Sequence, residues 1–161
     1  MKAATVNELK EELKHLPVGK LVELCSRLAR FKKENKELLT YLLFEAHDEQ
    51  AYISGVKEEV DSGFSEIPAG NSLYLQKKSL RKILRAVNKY VRYSGAKTTE
   101  VDLLLYYCEC LKRSHIAWSK SPVLVNLYNT QIKKIRNAIQ TLHEDLQYDY
   151  ESRLSELTNS G

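Results

Sequence analysis

The sequence predicts an all-α fold, a single-domain bundle of five to seven helices with a long C-terminal helix and HEAT-like or solenoid-like stacking as one arrangement. Three observations carry this. Apolar residues recur at helical spacing along most of the chain. Glycine and proline number only 6 and 3 in 161 residues, too few to build many strand-and-turn units. With 43% hydrophobic and 29% charged residues, the composition is that of a globular domain, well away from a disordered chain. A domain of this length buries roughly 70% of its unfolded surface and needs neither a disulfide nor a metal to hold a core.

The elements follow in order. A first helix is predicted from Thr5 to about Leu16, with Thr5 and Glu8 at capping-box spacing and Val6, Leu9, Leu13 and Leu16 on one face. Pro17 ends it and opens the next, which carries Leu21, Leu24, Cys25, Leu28 and Phe31. The polar patch at Lys32–Lys36 is either a solvated stretch of one long helix or a break between two, and a break is the preferred reading. The apolar run Leu38–Phe44 is too wide for a one-sided stripe, so it is expected deep in the core. Asp48 caps a third helix with Ile53, Val56, Val60 and Phe64 inward. The main internal loop, at 65–72, contains Ile67–Asn71. A fourth helix, Ser72 to Ser94, places Leu80, Ile83, Leu84, Val87 and Val91 inward and stops at Gly95. Thr98 or Thr99 caps a fifth, whose stripe is Val101, Leu104, Leu105, Cys108 and Leu111. Ser121–Pro122 opens the last helix, at about 122–157, which if continuous is roughly 50 Å long at 1.5 Å per residue. The segments Leu80–Val87 and Ile132–Ile139 echo each other, as two amphipathic basic helices do without any repeat.

The leucine spacing Leu9, Leu13, Leu16, Leu21 and Leu24 around Pro17, together with the run Asn35–Leu43, resembles small uncharacterised all-helical bacterial proteins. The likeness covers the first third of the chain. It implies no activity and carries over no site residue.

Several function classes are disfavoured. The opening residues carry Glu8, Glu11 and Glu12 and no apolar run, unlike a secretory signal. No stretch approaches the about 18 apolar residues of a membrane span. Cys25, Cys108 and Cys110 are an odd number and fit reduced thiols, so a cytoplasmic location is expected. Cys108 and Cys110 point away from each other on a helix and cannot clamp one metal ion; one core thiol, Cys108, and one more exposed thiol are expected. His15, His47, His115 and His143 lie on separate segments, and only Glu12 stands three residues before a histidine. Phosphate loops and nucleophile elbows are absent. The expectation is therefore no enzyme, no cofactor and no metal, and Glu58–Glu59–Asp61 and Glu144–Asp145–Asp149 are read as solvated faces.

Charge is distributed in helix-sized blocks within an overall +4. Residues 45–66 carry −6, and residues 67–99 carry +8 with no acid at all. Lys78, Arg81, Lys82, Arg85, Lys89 and Arg92, in the basic helix at 77–97, are the candidate polyanion contacts, with Tyr74, Tyr90 and Tyr93 nearby for stacking. The alternative, which the adjacency of the blocks favours, is that the acids at 45–66 neutralise this helix. A second basic group, Lys112, Arg113, Lys120, Lys133, Lys134 and Arg136, extends the patch only if the helices pack side by side. On the last helix Leu146, Tyr150, Leu154 and Leu157 form a stripe ringed by acids, the candidate contact for a protein partner or a second copy. The leading expectation is an interaction or scaffold module, a homodimer through that stripe. Nucleic-acid or other polyanion binding is the alternative, and no membrane contact is expected.

Overall fold

The computed structural model describes residues 1–70 and 72–159. Among them are eight α-helices and no strand. Where the sequence predicts one domain, the chain divides into two compact units, Met1–Phe44 and Glu45–Gly161.

The N-terminal unit holds α1 (Val6–Lys14), α2 (Val18–Phe31) and α3 (Lys33–Thr40). The capping box is formed: the Glu8 amide donates to Thr5 Oγ1 at 3.3 Å and the Thr5 amide to Glu8 Oε2 at 2.7 Å. That backbone bond, with the one from the Thr5 hydroxyl, holds the Glu8 carboxyl below its ordinary value. The expected break falls at Lys32, whose extended backbone separates α2 from α3. The two helices pack on each other, and the Asn35 side chain donates to the Leu28 carbonyl at 2.9 Å across the bend. The apolar run behaves otherwise than expected. Leu38, Leu42, Leu43 and Phe44 are exposed, and only Tyr41 is buried. From Tyr41 to Glu45 the run coils as a π-helical turn, so successive side chains point all around the axis. None of α1, α2 and α3 buries a residue.

The C-terminal unit is built on α4 (Glu49–Ser65), α5 (Leu73–Ser94), α6 (Lys97–Arg113), α7 (Pro122–Ile139) and α8 (Glu144–Thr158). Asp48 caps α4 through the Ala51 amide, and the loop 66–72 leads to Ser72, which caps α5 through the Leu75 amide. Asn71 of that loop lies outside the described residues. Gly95 ends α5 at φ 70°, a backbone region where a side chain is strained. Helix α6 starts at Lys97, ahead of the expected caps, because Thr99 turns inward and donates to Glu49 Oε1 at 2.6 Å. A short 3₁₀ turn at Trp118–Lys120 stacks Trp118 on Tyr128, ring centres 4.6 Å apart, and Ser121 caps α7.

Helix α6 touches α4, α5, α7 and α8. Leu103, Leu104 and Leu105 are consecutive and all have essentially no exposure, so the helix is covered on nearly every side. That makes the unit a bundle around a central helix; in a solenoid each repeat would touch only its neighbours. The α5 and α7 segments that echo each other both lie against α6, burying Leu80, Ile83 and Val87 in one and Ile132, Ile135 and Ile139 in the other.

The single last helix is also corrected. It divides at Gln140–His143, and α8 packs back against α6 and α7. The reversal uses neither glycine nor proline. The Thr141 and Leu142 amides close tight turns on Ala138 and Ile139, and the Gln147 side chain donates to the Leu142 carbonyl at 2.7 Å. His143 Nδ1 then accepts the Asp145 amide, with Glu144 and Asp145 in the first turn, where carboxylates suit the helix dipole. Two helices in place of one bring the total to eight.

Leu105 is fully buried on α6, the helix that four others enclose. Leu105→Ala is expected to lower stability by about 2–5 kcal/mol, read from the urea midpoint. Exposed Tyr148→Ala should stay within about 0.5 kcal/mol.

Candidate functional site

Helix α6 keeps one polar stripe, Asp102, Tyr106, Glu109 and Arg113, at spacings of four, three and four. Groups from α4 and α8 meet it there. Asp102 accepts from Arg153 Nη1 at 2.8 Å and lies 3.4 Å from Lys57 Nζ. Glu109 accepts from Arg153 Nη2 at 3.0 Å. Tyr106 donates to Asp61 at 2.7 Å. Burial, reinforced by that carboxylate, pushes the Tyr106 phenol up to about 12, so it stays a donor. In the last turn of α6, Lys112 Nζ donates to the Glu156 and Leu157 carbonyls at 3.0 Å, covering the last turn of α8. Charges here are held in reciprocal bonds between helices, and the chemistry this supports is clamping of α4, α6 and α8.

Cys110 belongs to the same cluster. The sequence predicts it as the more exposed thiol, yet it is buried, 3.7 Å from Asp61 Oδ1 with Arg113 Nη2 at 3.4 Å. Burial raises its pKa, against the pull of Arg113. Cys108 is fully buried and pushed up to about 12. Among the described residues no three of His, Cys, Asp and Glu converge to hold a metal ion. No helix there is long and apolar enough to cross a membrane.

The basic face of α5 survives folding. Lys78, Arg81, Lys82, Arg85 and Arg92 are exposed, and Lys89 is half-buried over the Tyr90 and Tyr93 rings at 4.9 and 5.9 Å. The acids of α4 take hydroxyl partners: Glu49 accepts from Ser94 and Thr99, Glu59 from Tyr90 at 2.7 Å, and Asp61 from Tyr106. Helices α4 and α5 border a groove of about 220 Å³, with Val56, Val60, Ile83 and Val87 in its wall and Glu59, Glu66, Lys82 and Tyr90 around them. Their close approach needs Gly63, where an added Cβ would lie 2.9 Å from Ile83 Cγ1.

The C-terminal stripe is not available as drawn from the sequence. Leu154 and Leu157 are buried, Tyr150 is half-buried, and only Leu146 is exposed. Tyr128 donates to the Leu157 carbonyl at 3.2 Å, tying the stripe into the chain's own core.

The apolar surface lies elsewhere. Thirteen large apolar side chains of the N-terminal unit are exposed among the described residues, against five in the C-terminal unit, Met1 aside. Phe31 at 85% and Val6 at 82% are the extremes. Between α2 and α3 runs a groove of about 210 Å³ lined by Cys25, Leu28, Leu38, Leu39 and Leu42, with Asn35 its polar member. The spacing of these residues was legible; that nothing within their own unit covers them was not.

The thiols report on this arrangement. Cys25 is exposed, whereas Cys108 and Cys110 stay protonated and covered at pH 8, where only a thiolate attacks. Ellman's reagent should therefore titrate one thiol quickly in the native protein and three in denaturant. Cys25→Ser should remove the fast phase. Two fast thiols in the native protein contradict the burial of Cys110.

No protein-family model matches the chain, no curated protein matches its sequence, and no solved structure matches its fold. The resemblance of its first third to bacterial helical proteins thus stands on leucine spacing alone.

Proposed function

We propose that the protein is an interaction or scaffold module without catalysis of its own, which self-associates through its N-terminal unit. The observation that carries this is the exposure of amphipathic helices over the first 44 residues. A segment near this size rarely supplies its own core and gains stability by covering apolar surface against another chain. A standard interface takes about 20–30 residues from each partner, which the unit can provide.

A second copy suits the surface because the helices are electrostatically complementary. Helix α1 carries Glu8, Glu11 and Glu12 against Lys10 and Lys14 and is net acidic, whereas α2 carries Lys20, Arg27 and Arg30 against Glu23 and is net basic. Glu11 pairs with Lys14 and Lys20 with Glu23 within their own helices, which leaves Glu8 and Glu12 to face Arg27 and Arg30. An isologous pair that lays α1 of one protomer along α2 of the other sets a net-acidic helix against a net-basic one twice over. The apolar α2–α3 groove then receives side chains of the Leu9–Leu13 kind, four apart on one face.

Sedimentation equilibrium tests this directly. The 18.6 kDa chain is expected to show twice its mass at micromolar concentration. Leu24→Asp/Leu28→Asp should halve that mass with the helical circular dichroism retained, and Tyr148→Asp on α8 should leave it unchanged. A wild-type protein that stays monomeric across the micromolar range ends the proposal.

A further inference from the structure

The geometry points to a second contact surface, independent of the first: we infer that the exposed face of α5 binds the phosphate backbone of nucleic acid. Five cations, Lys78, Arg81, Lys82, Arg85 and Arg92, stand exposed along about four turns of one helix. Among the described residues none of the five lies within 4.0 Å of a carboxylate, although the acidic helix α4 packs directly alongside. Even Lys82, which borders the α4–α5 groove with Glu59 and Glu66, is out of pairing reach of both. Two α4 carboxylates do reach α5, where Glu59 accepts from the Tyr90 hydroxyl and Glu49 from the Ser94 hydroxyl, at positions off the row of five. Folding thus leaves a row of like charges whose mutual repulsion is relieved by an external anion.

The shape of the row selects among polyanions. A helix that lies on a lipid surface inserts an apolar face beside its cations. The apolar face of α5 is already enclosed, with Leu80, Ile83, Leu84 and Val87 buried in the core. A linear array at one cation per turn instead follows a repeating phosphate chain. Tyr74, 74% exposed, heads the same row one turn before Lys78 and offers a ring on which a base can stack. Tyr90 does not, because its hydroxyl is held by Glu59 and its ring packs edge-on against Tyr52 and Tyr93. With Tyr74 the one exposed ring of the row among the described residues, and the cations spaced to follow phosphates, binding is expected to depend little on sequence.

Fluorescence anisotropy with labelled single-stranded and duplex DNA separates the outcomes. If five phosphates are neutralised, affinity should fall about 100- to 1,000-fold between 50 and 200 mM salt. Arg81→Glu/Arg85→Glu should weaken binding at least tenfold with circular dichroism unchanged, since both side chains are solvent-facing. Lys133→Glu/Lys134→Glu on α7 should bind as wild type. Tyr74→Ala should weaken the single strand more than the duplex. The inference is overturned if wild type fails to bind at 50 mM salt, if the α7 variant loses as much as the α5 variant, or if vesicles with anionic headgroups bind while both DNAs do not.

Discussion

The C-terminal unit depends on the burial of α6. A helix with leucine at three successive positions has only a narrow stripe to offer water, so neighbours must cover it on nearly every side, and α4, α5, α7 and α8 do so. This one requirement explains features that look separate. Thr99 turns inward to a carboxylate because the first turn of α6 is already enclosed. Tyr107, with no exposure, donates its hydroxyl to the Leu80 carbonyl at 3.1 Å, since a buried phenol needs a partner. Asp102, Tyr106, Glu109 and Arg113 share one polar stripe of α6, and helix-to-helix salt bridges gather there.

The two units solve the same problem from unequal means. Both are written in amphipathic helices of similar apolar content. The longer one closes four helices around a fifth. The shorter one has a two-helix wall and an additional helix, with no central element for them to surround. Apolar side chains at correct helical spacing therefore remain at its surface, and the surface takes on the character of an interface.

How much of this the sequence discloses depends on how local each signal is. The capping box at Thr5 and Glu8, the caps at Asp48 and Ser121, and Gly95 at the end of α5 act within four residues, and all are read correctly. The break at Lys32 follows from a polar interruption of an apolar stripe. Reading fails where the deciding partner is far along the chain. Leu38–Phe44 has the composition of a core segment, but composition does not say whether its unit has enough helices to enclose it. Cys110 is polar-facing by helical phase, and it is covered because Asp61, 49 residues away, meets it. The reversal at Gln140–His143 lacks glycine and proline, and its signal, a histidine cap followed by two acids, is weaker than serine or aspartate at that position. The basic row on α5 was plain from the spacing. That five of its cations form no ion pair with α4 among the described residues depends on how side chains of two helices meet, which spacing along one helix does not disclose.

Asp102 has a further consequence, for time rather than shape. It joins Lys57, 45 residues before it, to Arg153, 51 residues after it. Contacts that close such long stretches of chain form late, after the loops between them have been ordered. Bonds absent from the folding barrier leave the rate of folding almost untouched and act on the reverse step. The Asp102 clamp is thus expected to set the lifetime of the native unit, and its removal should be seen in the unfolding arm of a chevron while the refolding arm stays in place.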